Sequence, residues 1–154
     1  KVITSFKNIK YFTIHALGSL EMLNAAKKST EGSSLELLAV SILTSWNEQD
    51  LKKIGINCPI KDQVEILIKL AAKAQISGVI ASPLDIKLAR SISKDLKIFC
   101  PGIRADNDRQ DQKRTLSYKE FNFLADEKCF AVIGRPIYEG DPLENINKII
   151  NYSN

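Results

Sequence analysis

Five times along this chain a short apolar run is followed by a segment with helical spacing, and that alternation limits the possible folds more than any other feature. Residues 11–16 are β-rich and stop at Gly18. Ser19 then stands as the N-cap of a helix through Leu20, Met22, Leu23 and Ala26, which share one face. Residues 37–43 are almost continuously apolar, the pattern of a strand buried on both faces. Asn47 is placed to cap a short helix over residues 48–54 that ends at Gly55. Pro59 precedes a longer helix with Val64, Leu67, Ile68, Ala71 and Ala72 on one stripe. Residues 78–81 form the next strand, closed by Ser82-Pro83, and a helix follows with Ile86, Ala89 and Ile92 inward. Residues 96–100 read as a strand stopped by Pro101-Gly102, and the polar stretch 106–114 reads as a mobile loop. Ser117 is placed to cap a helix containing Phe121 and Leu124. Residues 129–133 give the last strand, and Pro142 opens a terminal helix with Leu143, Ile146, Ile149 and Ile150.

Strands that alternate with helices imply a parallel sheet. Two architectures satisfy the pattern, an open doubly wound sheet and part of a (β/α)8 barrel, and the pattern does not separate them. No linker, low-complexity segment or close repeat interrupts the 154 residues, so a single domain is expected over 1–154. The net charge of +4 is mild and dispersed, which argues against nucleic acid as a partner. No run approaches the length of a membrane span. No signal peptide opens the chain, and its three widely spaced cysteines read as buried free thiols, so a cytoplasmic location is expected. There is no Cys/His cluster, and no metal site is expected.

Either architecture collects its site at the carboxyl ends of the strands. The residues standing there in sequence are His15, Thr44, Ser82, Arg104 and Arg135. Gly134 lets a backbone N–H approach an anion closely, and Arg135 offers a fork of donors to phosphate oxygens. The competing reading of Gly134-Arg135-Pro136 is a tight turn with a surface arginine. His15 reads as a structural strand-end histidine, Trp46, Met22 and Cys100 as packing residues, and Asp85 and Asp141 as helix-start residues.

Six segments occur in one order: His15-Ala16-Leu17-Gly18, Leu43-Thr44-Ser45, Gly78-Val79-Ile80-Ala81-Ser82-Pro83, Pro101-Gly102-Ile103-Arg104, Asp111-Gln112-Lys113-Arg114 and Ile133-Gly134-Arg135-Pro136-Ile137. Together, over residues 6–150, they resemble the bacterial orotidine 5'-phosphate decarboxylases. The resemblance implies an α/β fold, an incomplete (β/α)8 TIM barrel of five β/α units corresponding to the fourth to eighth strands. It implies that Thr44 contacts the pyrimidine ring, and that Arg104, Gln112, Gly134 and Arg135 surround the phosphate of orotidine 5'-phosphate or UMP. It implies no cofactor. The Asp-x-Lys-x-x-Asp-Ile-Pro segment that carries the family's carboxy-lyase chemistry is not in this sequence, and residues 1–9 resemble the end of the helix that follows it. No catalytic residue is therefore assigned here, and this chain alone is expected to be inactive in UMP synthesis. Its expected partners are a nucleotide monophosphate and either an amino-terminal fragment carrying the first three strands or a second copy in a homodimer.

An alternative is a non-catalytic remnant that only binds a phosphate ligand. A relative acting on a sugar phosphate, such as a hexulose-phosphate synthase, fits less well with Thr44 and the Asp111-Gln112-Lys113-Arg114 segment. Three departures from the family pattern stand out: Gly18-Ser19 in place of Gly-Gly, Gln75-Ile76-Ser77 without a common Gly, and Tyr138 where Thr is common.

Overall fold

Each of the five apolar runs forms a strand, and the five pair in chain order. The computed structural model describes residues 8–104 and 114–152. The main strands are β1 (Tyr11–His15), β2 (Glu36–Val40), β3 (Gly78–Ile80), β4 (Lys97–Pro101) and, after a small two-stranded pair, β7 (Cys129–Val132). All are parallel, in the order β1-β2-β3-β4-β7. The intervening helices are α1 (Leu20–Ser29), α2 (Glu48–Lys53), α3 (Ile60–Lys73), α4 (Ile86–Ile92), α5 (Tyr118–Leu124), α6 (Arg135–Tyr138) and α7 (Pro142–Tyr152).

Two observations choose between the architectures left open by the sequence. A doubly wound sheet reverses its strand order at a switch point and carries helices on both faces; here the order never reverses. The main core joins one parity of strand residues, among them Leu37, Ala39, Val79, Ile98 and Cys100, to Leu23, Val64, Leu67, Ile68 and Ala89 of the helices. The other parity presents Tyr11, Glu36, Leu38, Lys97, Phe99 and Phe130 to a second face. On that face the rings of Tyr11 and Phe99 meet edge-on, centroids 5.0 Å apart, although two strands lie between β1 and β4. Phe99 stacks on Phe130 at 4.7 Å. Lys97 reaches over Gly78 to the Glu36 carboxylate, 2.5 and 2.7 Å from its oxygens. The sheet therefore curls around its second face, as a barrel wall does. At its edges, Phe130 and Val132 of β7 are 37% and 43% exposed.

The helix starts follow the sequence closely. Asn47 and Ser117 each form a full capping box, with Asp50 and Glu120 as the reciprocal partners. The Asp141 carboxylate accepts from the N–H groups of Leu143 and Glu144. Helix α2 closes with a Schellman pair, Ile56 N–H to Leu51 O and Gly55 N–H to Lys52 O, and Gly55 supplies the required left-handed backbone at φ 83°. Helix α3 closes identically, Ile76 N–H to Ala71 O and Gln75 N–H to Ala72 O, but with Gln75 at φ 53°. Ser19 adopts φ 88°, ψ 165°, a region that favours glycine, while its hydroxyl accepts a long 3.5 Å bond from Met22. Among the described residues the two non-glycine positions at positive φ thus fall on two of the three departures from the family pattern. The Ser19→Gly, Gln75→Gly double variant is expected to be more stable by about 1–3 kcal/mol, measured by urea unfolding; a loss of stability contradicts the strain.

At the amino end of the sheet, Arg90 of α4 binds both Asp126 oxygens and donates to Leu96 O at 2.6 Å, joining α4 to the starts of β4 and β7. Arg90 holds the Asp126 carboxyl well below the usual carboxylate range, helped by hydrogen bonds from Cys129 and the Lys128 backbone. A lowered folded-state value stabilises the chain above the ordinary carboxylate pKa of about 4 and is lost as pH falls through the folded value. The stability gap between the wild-type chain and Asp126→Asn is therefore expected to shrink on acidification from pH 6. A gap that does not change with pH contradicts this.

Candidate functional site

The carboxyl ends of the strands carry the residues that the sequence singled out. His15 ends β1 and is exposed. Beyond β2 the chain turns inward: Ser41 donates to Ile80 O at 2.9 Å, and Thr44 is buried before α2 begins. Ser82, just past β3, is fully buried. Pro101 is the last residue of β4, and Gly102 at φ 83° turns the chain into β5 (Ile103–Arg104). Gly134 and Arg135 follow β7, with Arg135 half-buried as the first residue of α6. Among the described residues a Cβ on Gly134 would meet only Tyr138, at an ordinary 3.6 Å. Gln112 lies outside the described residues.

Arg104 is 6% exposed, and its Nη1 donates to the Ile103 carbonyl at 3.0 Å. No carboxylate of the described residues forms an ion pair with it. A buried cation without a counter-charge is costly, and an anion brought to it relieves that cost.

A second arginine behaves differently. The polar stretch 106–114 reads in sequence as a mobile loop, and residues 106–113 lie outside the described residues. Its last member, Arg114, is anchored. Its Nη2 lies 2.5 and 2.6 Å from the two oxygens of Asp85, and its carbonyl accepts from the Ser82 hydroxyl at 3.0 Å. Asp85 is 5% exposed. Burial raises its carboxyl above the ordinary value, against the pull of Arg114. Asp85 does stand at a helix start, in the 3-10 turn Pro83–Asp85 that leads into α4, but its side chain makes no cap bond to α4 and its main partner is Arg114. Two residues on, β6 (Leu116–Ser117) pairs in parallel with β5, with Ile103 opposite Leu116 and Arg104 opposite Ser117. No sequence signal marked this pair, because a two-residue strand has no periodicity and Asp85 and Arg114 are 29 residues apart.

Similarity to known proteins decides the family. Residues 3–149 match the model of the orotidine 5'-phosphate decarboxylase / HUMPS family. The chain belongs to that family. It is 40% identical over 146 residues to the orotidine 5'-phosphate decarboxylase of Ehrlichia chaffeensis, a match covering 93% of this chain and 62% of the relative. It is 40% identical over 151 residues to that of Geotalea uraniireducens, with the same coverage. The crystal structure of the Lactobacillus acidophilus orotidine 5'-phosphate decarboxylase superposes with a TM-score of 0.75 at 31% identity, covering 95% of this chain and 64% of that one. The Methanocaldococcus jannaschii enzyme, crystallised with the inhibitor BMP, shares the fold at a TM-score of 0.67 and 15% identity. The chain thus spans about 62% of the length of these curated relatives, and its five parallel β/α units form an incomplete (β/α)8 TIM barrel. Among the described residues no helix is long and apolar enough to cross a membrane, and no group of acidic, histidine or cysteine side chains is set to hold a metal ion.

Proposed function

We propose that residues 1–154 carry the nucleotide-binding half of an orotidine 5'-phosphate decarboxylase, and that decarboxylation to UMP requires, in addition, the first three β/α units of the barrel. The buried Arg104, without a carboxylate partner among the described residues, is the observation that supports this most strongly. It stands beyond the carboxyl end of the sheet, the end at which Gly134-Arg135 also lies. Arg104, Arg135 and the Gly134 backbone N–H grip the phosphate together with Gln112, and Thr44 meets the pyrimidine. The grip is remote from the reacting carbon, so its binding energy serves to organise the site rather than to break the bond. The edge strands β1 and β7 are where the three further parallel strands add.

Calorimetric titration tests the binding half of the proposal. UMP should bind, and uridine, without the phosphate, should bind at least about 30-fold more weakly, the loss of roughly 2 kcal/mol of charge-assisted hydrogen bonding. Turnover of orotidine 5'-phosphate is expected only after a chain bearing the first three β/α units of a relative is added. Equal affinity for UMP and uridine contradicts the phosphate site. Binding that never becomes turnover after addition of those units supports a ligand-binding remnant instead.

A further inference from the structure

The buried Asp85–Arg114 pair lies outside the residues that hold the phosphate in the reading above, yet it adjoins them. Three connections meet there. Ser82 Oγ accepts from Leu84 N–H at 3.2 Å and donates to the Arg114 carbonyl, so the turn after β3 grips the Arg114 backbone. Asp85 grips the Arg114 guanidinium through Nη2. Two residues later the backbone enters β6, where Leu116 N–H donates to Gly102 O at 3.3 Å and Ser117 lies opposite Arg104. The β5–β6 pair is two residues long on each strand and is too short to hold itself in place. β6 is tied on one side to the β3–α4 turn through Arg114 and on the other to α5, which Ser117 caps, while β5, which carries Arg104, is tied to β6, to the Gly102 turn and to the core through Ile103.

The energetics of the pair favour a geometric role over a stabilising one. A buried ion pair is weak evidence for stability, because desolvation offsets the attraction. Here Arg114 Nη1 is also buried with no hydrogen-bond partner among the described residues, a further cost of the arrangement. Among the described residues, the polar contacts of Arg114 are to one carboxylate and one hydroxyl, Asp85 and Ser82.

We propose that Asp85 and Arg114 are positioning residues. Anchored to the turn after β3, Arg114 fixes the β5–β6 strap and through it the buried Arg104 that faces the phosphate. This rests on the proposed function for its ligand but not for its geometry.

The same helix supplies an internal control. Asp85 immediately precedes α4 at the carboxyl end of the sheet, while Arg90, near the other end of α4, pairs with Asp126 at the amino end. Breaking either pair removes an ion pair on α4, but only one bears on the strap. In Asp85→Asn, hydrogen exchange at the Leu116 amide should accelerate at least about tenfold, with β2 and β3 amides unchanged, and UMP affinity should fall about tenfold or more. Arg114→Lys, which keeps the charge but not the fork, should fall between Asp85→Asn and the wild type. Arg90→Ala should leave both Leu116 exchange and UMP affinity within twofold of wild type at a temperature where each variant is folded. The inference is overturned if Leu116 exchange in Asp85→Asn matches wild type, if UMP affinity is kept despite faster exchange, or if Arg90→Ala reproduces both effects. Failure of the wild-type chain to bind UMP counts against the proposed function alone, and Leu116 exchange then decides the anchor.

Discussion

Arg135→Ala and Arg104→Ala should each weaken UMP binding by about 100-fold or more. Truncating a guanidinium that holds a phosphate costs about 2–5 kcal/mol, and every 1.4 kcal/mol is a factor of ten. The two variants should differ in stability. Arg135 is half-buried at the first position of α6, and its loss should change unfolding by no more than about 1 kcal/mol, the range of partly exposed polar pairs. Arg104 is buried without a carboxylate partner among the described residues. Replacing it with the apolar, similarly long methionine should abolish binding while leaving stability unchanged or raised, because removal of a buried charge that no described carboxylate offsets relieves a desolvation cost. Calorimetry and urea unfolding of Arg104→Met report the two effects separately. Loss of both binding and several kcal/mol of stability would show that Arg104 holds the fold rather than the ligand.

Gly78→Ala should cost about 3 kcal/mol or more of stability, a large share of a typical domain's 5–15 kcal/mol. A Cβ at position 78 would sit 2.5 Å from the Lys97 carbonyl oxygen and 2.9 Å from both Leu38 Cδ2 and Lys97 Cβ. The nearest of these atoms is backbone in the neighbouring strand β4, so a side-chain rotation cannot relieve the clash. The Glu36–Lys97 ion pair crosses the same spot, with Leu38 beside it. A variant within 1 kcal/mol of wild type in urea unfolding would contradict this account of the sheet.

The elements were legible in the sequence because their signals are local. Asn47, Ser117 and Asp141 cap the helices they were expected to cap, Gly55 ends α2, and Pro142 opens α7. Strand bounds moved by one residue at most ends and by three at β2, where the apolar run reaches residue 43 but pairing ends at Val40. Barrel or doubly wound sheet was not legible, since both write the same alternation; strand order and the single helix-covered face decided it. At the site, chain position was readable for Thr44, Arg104, Gly134 and Arg135 because strand ends are readable. The tie between Asp85 and Arg114 was not, because long-range pairing of buried charges leaves no mark on local periodicity. An aspartate just ahead of a helix looks like a cap until its partner is seen. Ser19 and Gln75 were visible as departures from a family pattern, and only the backbone angles gave them a physical meaning.

The most direct test of the central claim, a family phosphate site carried by this chain, is a nitrogen-15 amide correlation spectrum recorded with and without UMP. The account predicts a dispersed spectrum in which UMP shifts the amides of Thr44, Arg104, Gly134 and Arg135 at the carboxyl end of the sheet, while those at the amino end, such as Leu96 and Lys128, stay in place. A dispersed spectrum that UMP leaves unchanged, or shifts only at the amino end, would contradict it.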